Sequence, residues 1–354
     1  MKRLLMLVCT TVAIFLLVLA GCRTDADPHA RETVEINPVS LSLFRPLPAV
    51  IPSDDNPLTD DKVALGRMLY YETRLSRNHD ISCNSCHMLD KYGVDGQPTS
   101  PGHKGLRGDR NSPTVYNAAG HFVQFWDGRA GTVEEQAKGP VTNPVEMAMP
   151  SEERVVATLK SMPEYVEAFK KAFPDERDPV TFENVGRAIG AFERKLVTPA
   201  RWDKFLQGDH SALTSDEKKG FNHFVDAGCP ACHAGEYVGG NLFHKLGAVK
   251  PWPDTTDTGR AKVTNQEADR MMFKVPGLRN IEKTGPYYHD GGIGTLEEAV
   301  SRMAEYQLGK TLDREEVQSI VIWLKSLTGE IPGEYIKAPP LPKSTSRTPK
   351  PEKS

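Results

Sequence analysis

The 354-residue sequence lacks an excess of charge of either sign, with 44 basic residues against 47 acidic ones and a formal net charge of -3. A chain without an excess of basic residues lacks the positively charged surface that binds the phosphates of nucleic acids, which excludes nucleic-acid binding as its role. Long apolar runs are also missing beyond Leu4 to Leu19, which excludes a multi-span membrane protein. What remains, with 38% hydrophobic and 26% charged residues, is typical of a globular chain with room for two domains.

Cysteine is scarce, and its placement leaves little for structural disulfides. The six cysteines are Cys9, Cys22 and two Cys-X-X-Cys pairs. A basic start, an apolar run and the letters LAGC at residues 19–22 follow one another, an order that predicts an export signal. Because LAGC resembles a bacterial lipobox, we expect a signal peptide over residues 1–21 and a lipidated Cys22 that anchors the mature chain. An uncleaved transmembrane anchor is the alternative.

The mature chain is predicted to hold two similar, mainly α-helical units between irregular ends. Residues 22–53 are polar and punctuated by proline, which predicts a flexible tether, and residues 332–354 repeat that composition and predict a flexible tail. Each unit opens with an amphipathic helix that leads to a Cys-X-X-Cys-His motif, and each closes with another amphipathic helix. We therefore expect tandem domains over residues 54–198 and 199–331.

Capping signals place the first helix of each unit. Thr59 with two aspartates opens one helix, and Thr214 with Glu217 forms a capping box for the other. The closing helices are predicted from the apolar spacing after Phe182 and after Val317. The stretches 92–113 and 238–264 are rich in Gly, Pro and Asn, so we expect ordered loops there rather than sheet.

The two Cys-X-X-Cys-His motifs carry the chemistry. This spacing is the covalent attachment signal for c-type haem, in which two thiols form thioethers and the adjacent histidine ligates iron. A four-thiolate zinc ribbon and a thioredoxin-like dithiol are the competing interpretations, but both leave the trailing histidine unexplained twice. The sequence therefore predicts two covalent haems, and the residues that hold them are Cys83, Cys86, His87, Cys229, Cys232 and His233.

The distal ligand of each iron distinguishes an electron carrier from a catalyst, because an exchangeable position lets substrate reach the metal. For the second haem the candidates are Met271, Met272, Met303, His244 and His289, and for the first they are His103, His121, Met147 and Met149. Met303 stands out because it lies just upstream of the closing helix, where small c-type cytochromes place their methionine ligand. Spacing alone does not choose among the candidates for the first haem.

Several longer strings resemble the bacterial di-haem cytochrome c peroxidases over nearly the whole mature chain. The matching strings are Gly102–Gly105, Arg110–Val115, Gln124–Arg129, Gln136–Pro140, Asn143–Met147 and Gly285–Gly291. The resemblance implies a high-potential C-terminal haem with Met303 as its distal ligand. It also implies a low-potential N-terminal haem that reduces hydrogen peroxide and is capped by His103 in the oxidised resting state.

The same resemblance implies roles around the first haem. Trp126 lies between the haems, where an aromatic ring lowers the tunnelling barrier, and Gln136 and Glu146 face the peroxide pocket. Glu146 suits the proton transfer that cleavage of the O–O bond needs, and Gln136 orients the peroxide without titrating. Reduction of the second haem is expected to release His103 from the first iron.

A calcium ion at the domain interface is also implied, with Asn111, Thr284 and Pro286 around it. The resemblance further implies a periplasmic homodimer that takes electrons from a small soluble cytochrome c or a cupredoxin.

The predicted activity is thus a peroxidase. The main alternative is a di-haem electron-transfer protein in which both irons stay six-coordinate. A relative of the methylamine-utilisation di-haem enzymes, which oxidise a protein substrate, is a third interpretation. Those enzymes lack the methionine at the second haem and the pocket glutamate, and this chain has Met303 and Glu146.

Overall fold

Helices form most of the regular structure in residues 34–352, which are the residues that the computed structural model describes. In this part of the chain the helices are α1 (Pro38–Leu41), α2 (Asp60–Tyr70), α3 (Cys83–Cys86), α4 (Val133–Thr142), α5 (Glu152–Lys160), α6 (Pro163–Ala172), α7 (Phe182–Glu193), α8 (Arg201–Leu206), α9 (Ser215–Ala227), α10 (Ala261–Thr264), α11 (Leu296–Leu308) and α12 (Arg314–Lys325). Strands β1 (Phe243–Lys245) and β2 (Met272–Lys274) form an antiparallel pair in which Phe243 lies opposite Lys274. The protein is therefore mainly α-helical.

The caps predicted from the sequence begin the helices as expected. The Thr59 side chain accepts a hydrogen bond from the backbone N–H of Lys62 at the start of α2. At α9, Thr214 and Glu217 form the predicted reciprocal capping box. These bonds satisfy backbone donors that a helix leaves free in its first turn.

The opening and closing helices of each half cross at a glycine. Helix α2 packs on α7, and α9 packs on α12. A Cβ atom on Gly66 would lie 1.8 Å from the Ala188 carbonyl oxygen, and one on Gly220 would lie 2.0 Å from the Ser319 carbonyl oxygen. Only glycine allows these helix backbones to approach so closely, and the same solution occurs in both halves.

Two hydrophobic clusters divide the chain. One is built mainly on α2 and α4 to α7, and the other on α8, α9, α11 and α12. Thr198 lies between them, and its hydroxyl accepts hydrogen bonds from the side-chain amides of Asn117, 2.9 Å away, and Asn280, 2.8 Å away. Both asparagines are buried and have positive φ angles at the start of a short 3₁₀ turn. The two halves are thus joined through equivalent positions.

Parts of the predicted tether and tail pack against the helices in the residues described. Phe44 is 5% exposed and packs in the second hydrophobic cluster, and Ile51 is buried against Val197. In the tail, Tyr335 stacks on Phe192 at 5.0 Å between ring centroids, and Ile336 joins the first cluster. Isolated apolar side chains among prolines are sufficient to dock an irregular segment, which composition alone does not reveal.

The stretch 238–264 is also not loop alone, because it contributes β1 and α10. Each element is only three or four residues long, so no local period marks it, and β1 forms by pairing with the more distant β2. Residues 34–352 contain no helix long and apolar enough to cross a bilayer. The predicted signal peptide and Cys22 lie outside the described residues.

Candidate active site

Each Cys-X-X-Cys-His motif lines its own cavity. The first cavity has a volume of about 1200 Å³ including its mouth, and Cys83, Cys86 and His87 form part of its wall. The second, of about 1510 Å³, is lined by Cys229, Cys232 and His233. A zinc ribbon would need all four thiols around one ion, so this separation argues against that alternative.

Short helical turns position the thiols. Residues 83–86 form α3, whose N-terminus is capped by Ser82 and Ser85, and α9 ends at Gly228 just before a 3₁₀ turn at Cys229–Ala231. None of the four cysteines forms a disulfide. Burial raises the pKa of Cys86 to about 11 and that of Cys229 to about 12, so both remain protonated thiols at neutral pH.

The two motif histidines fit a haem ligand. Burial lowers the pKa of His87 and lowers that of His233 to about 4, which keeps both imidazoles neutral as iron ligation requires. Each ring buries an Nδ1 atom without a hydrogen-bond partner. The backbone at Pro113 near His87, and at Pro276 near His233, opposes the effect of burial on the pKa. A hydrogen bond from the second ring nitrogen to a backbone carbonyl is the usual way of orienting a metal-bound imidazole.

Trp126 contributes to the walls of both cavities. Its indole Nε1–H donates to the Asn111 carbonyl at 3.0 Å, and its own carbonyl accepts from the backbone N–H of Lys274 at 2.8 Å. Residues from both halves therefore hold Trp126 in the partition between the cavities.

Gln136 and Glu146 both line the first cavity. Gln136 is presented by α4, and Glu146 lies in the loop that follows this helix. Burial raises the pKa of Glu146, and the Arg129 guanidinium opposes this effect. A carboxyl group whose pKa is moved toward neutrality suits proton transfer.

His103 is buried next to this loop but is not among the residues that line the first cavity. Its backbone N–H donates a hydrogen bond to the Glu146 carbonyl at 2.7 Å, so the segments that carry the two residues are in contact. Of the other candidates for the first iron, Met147 lines the cavity, whereas Met149 and His121 do not. His121 instead bonds to Lys274 in the second half.

Met303 lines the second cavity from the middle of α11, the helix that precedes the closing helix α12. His244 and His289 also line this cavity, whereas Met271 and Met272 do not. The His244 ring is hydrogen bonded to Gln307 of α11 at 3.0 Å, and the His289 ring packs against Phe273.

The predicted calcium residues come together at the same cavity. Asn111, Thr284 and Pro286 all line it, although they belong to different halves of the sequence. The Asn111 side-chain nitrogen donates to the carbonyls of Gln97 and Pro98, at 3.0 and 3.3 Å, which leaves its oxygen as the atom available to a cation.

Four charged cavity residues were missed as site residues. Arg110, Arg129 and Glu193 line the first cavity, and Lys274 lines the second. The arginines belong to the matched strings, so the resemblance contained a signal for them. Glu193 falls four residues after Ile189 on the apolar face of α7, and a carboxylate on such a face is itself a signal. The local sequence around Lys274 carries no comparable mark.

A mainly helical fold in which two Cys-X-X-Cys-His motifs wall separate cavities defines a c-type cytochrome with more than one haem site. A sequence profile described as "Di-haem cytochrome c peroxidase" matches residues 60–211. Cytochrome c551 peroxidase of Nitrosomonas europaea is 48% identical, with 87% of this chain and 90% of the relative covered.

Cytochrome c551 peroxidase of Pseudomonas aeruginosa is 44% identical, covering 88% of this chain and 90% of the relative. A solved MauG-like protein associated with microbial copper homeostasis superimposes with a TM-score of 0.72 at 28% identity, covering 83% of this chain and 97% of that one. The chain belongs to the di-haem cytochrome c peroxidase family, whose members carry two c-type haems.

Proposed function

We propose that the protein reduces hydrogen peroxide, so that H2O2, two protons and two electrons give two waters. The observation that carries this proposal is Glu146, a partly buried carboxyl with a raised pKa in the wall of the first cavity. No Asp or Glu lines the second cavity in the part of the chain described. Among the described residues, a carboxyl group that could relay a proton therefore lines the first cavity and not the second.

We infer that Cys83, Cys86 and His87 hold one covalent haem, and that Cys229, Cys232 and His233 hold the other. When bound, the two haems would supply the redox chemistry. The protein side chains bind, orient and move protons. Gln136 is proposed to orient the peroxide, and Glu146 to take a proton from its near oxygen and return it to the far one.

The division into tandem cytochrome-like domains, 54–198 and 199–331, is part of the same proposal. The two hydrophobic clusters and the repeated glycine crossings support it. Electrons are proposed to enter at the second haem, with Met303 as its distal ligand, and to pass the partition at Trp126. The position of Trp126 in both cavity walls supports this route.

His103 is proposed to cap the first iron in the oxidised resting state and to leave when the second haem is reduced. Its backbone hydrogen bond to the Glu146 carbonyl links the two residues, so a displacement of His103 would be transmitted to Glu146. Calcium held by Asn111, Thr284 and Pro286 would favour one arrangement of the interface. The convergence of these three residues on one cavity supports the site.

The proposed setting is the periplasm, with a lipid anchor at Cys22 and a homodimer as the working form. The cytochrome c551 peroxidases among the relatives support a small redox protein as the electron donor. We propose a soluble cytochrome c or a cupredoxin in that role.

Glu146→Gln tests the proposal against the electron-transfer alternative. The amide has the size of the carboxyl but cannot relay a proton, so peroxide turnover with a reduced small cytochrome should fall by about 100-fold or more. Haem content and both reduction potentials should stay near those of the wild type. Glu164→Gln, an exposed position on α6, is the matched control and should turn over normally.

Normal turnover in Glu146→Gln would remove this residue from the chemistry. A wild-type protein that never consumes peroxide, with any small donor and before or after one-electron reduction, would favour the electron carrier instead.

A further inference from the structure

The two cavities differ in the charge of their walls. The first contains two carboxyl side chains, Glu146 and Glu193. Its two arginines are neutralised by ion pairs, Arg110 with Asp127 and Asp257 and Arg129 with Asp127. Burial raises the pKa of Glu193 to about 8, so this carboxyl is mainly neutral at pH 7. The first cavity therefore has no uncompensated cation among its described lining residues.

The second cavity has the opposite character. Among the described residues that line this cavity, Lys274 is the only lysine or arginine, and none is an aspartate or a glutamate. Lys274 is 6% exposed, and its Nζ lies 3.1 Å from Nδ1 of His121. No carboxylate forms an ion pair with it in the part of the chain described.

His121 is built into this position. A Cβ atom on Gly240 would lie 2.3 Å from the imidazole, and one on Gly277 would lie 2.8 Å from it, so the ring fits between two glycines. Burial, with the Lys274 ammonium second, lowers the pKa of His121 well below its usual value. The neutral ring accepts a hydrogen bond from the ammonium, which does not cancel the positive charge of Lys274.

We propose that Lys274 is a positioning residue for electron transfer, whose buried ammonium raises the reduction potential of the haem in the second cavity. The inference rests on the proposed function, because it requires a redox-active haem there. Reduction adds one electron, from the donor protein, to the iron of the second haem and breaks no bond to that iron. A cation in a poorly solvated wall stabilises the state that carries one positive charge fewer.

The other polar groups around Lys274 do not offset it. His233, His244 and His289 line the same cavity and carry no negative charge, and Tyr288 beside them has its pKa raised by burial. The backbone N–H of Lys274 also donates to Trp126, so the charge is fixed next to the partition between the cavities. The wall charges thus favour an electron in the second cavity over the first before any distal ligand is considered.

Lys274→Met tests this in the full-length protein with both haems attached. The variant keeps the length of the side chain but removes its charge. In a spectroelectrochemical titration at pH 7, the ratio of reduced to oxidised second haem at a fixed potential should fall by about tenfold, equivalent to about 59 mV for one electron. Lys274→Arg should retain most of the wild-type potential.

Lys62→Met is the matched control. Lys62 is also buried, with its Nζ bonded to Asn56 and Pro57, but it lines neither cavity. Its replacement should leave the second potential unchanged. If Lys274→Met reduces haem content, Lys274→Gln provides the same loss of charge with a polar side chain.

An unchanged potential in the folded Met or Gln variant would overturn the role of Lys274, as would an equal shift in Lys274→Arg. Peroxide turnover by the wild type is measured separately. If the wild type does not consume peroxide but Lys274→Met still shifts the potential, the proposed function fails and the inference about Lys274 stands.

Discussion

Glu193 is a side chain whose pKa is set by its position in the fold. It lies at the end of α7, is 3% exposed and lines the first cavity. Burial raises its pKa to about 8, the Glu134 carboxylate adds to the rise, and Arg194 opposes it. The folded protein therefore holds a proton on Glu193 at neutral pH that the unfolded chain releases.

This proton makes stability depend on pH. Because the folded pKa of about 8 lies above the usual value of 4.5, the free energy of unfolding should fall as pH rises between these values. The slope from this group is at most about 1.4 kcal/mol per pH unit. Glu193→Gln should remove that slope, so the variant should gain stability over the wild type between pH 5 and about pH 8. Denaturant titrations at several pH values measure the difference.

Glu183→Gln is the control on the same helix, because 63% of the Glu183 side chain is exposed. Its unfolding free energy should follow the pH dependence of the wild type. Parallel curves for Glu193→Gln and the wild type would show that Glu193 is ionised in the folded protein.

At the scale of elements, both halves depend on a pair of helices that touch through glycine. Gly220→Ala would place a methyl group 2.0 Å from the Ser319 carbonyl oxygen, so α9 and α12 would have to move apart. Alanine favours an isolated helix by about 1 kcal/mol over glycine, yet we expect a net loss of about 2 kcal/mol or more in the free energy of unfolding. Equilibrium unfolding in denaturant measures it.

Gly294→Ala is the control, because Gly294 has no heavy atom within 4 Å of the added methyl group and a backbone suited to any residue. Its free energy of unfolding should change by less than about 0.5 kcal/mol. Gly66→Ala should behave like Gly220→Ala, since α2 and α7 meet in the same way. A neutral or stabilising effect at Gly220 would show that the two helices do not need this close approach.

At the scale of the whole molecule, the C-terminal residues from 338 onward, here called the strap, bind to the first half of the chain. Arg74 donates to the Pro342 carbonyl at 2.8 Å, and the Thr345 hydroxyl donates to the Ser161 carbonyl at 2.9 Å. Glu352 forms ion pairs with Arg77 and Arg154. These contacts all join the strap to residues of the first half.

Deletion of residues 338–354 should therefore lower the free energy of unfolding by about 1–3 kcal/mol, the sum of several hydrogen bonds less the entropy regained by a free segment. Tyr335 and Ile336 remain in the truncated chain and keep the first cluster closed. The unfolding free energy is measured by denaturant titration, and haem content confirms that the cavities form.

Glu352→Gln tests how much of the strap's contribution to stability comes from the ion pairs at its C-terminal end. The two ion pairs of Glu352 are half-exposed, so the free energy of unfolding should fall by less than about 1 kcal/mol. A truncated chain as stable as the wild type would mean that the segment contributes no net stability.

The features that the sequence by itself determined are those with causes within a few residues. Helix starts at Thr59 and Thr214 follow from side chains that bond to the next turn, and the haem motifs follow from the two-residue spacing of their cysteines. The strings around Trp126 and Glu146 were sufficient to indicate the family. None of these required knowledge of distant segments.

Tertiary structure decided what depends on residues far apart in the chain. Lys274 and His121 are separated by 153 positions, and their contact exists because two glycines leave space for the ring. The pKa of Glu193 follows from burial that no local pattern measures. The prolines of residues 332–354 predicted flexibility, but the side chains of Tyr335 and Ile336 pack on apolar residues of the first half. Short-range hydrogen bonds and the spacing of the motif cysteines depend on neighbouring residues, so the sequence shows them directly. Burial and packing depend on which distant surfaces come into contact, which only the tertiary structure shows.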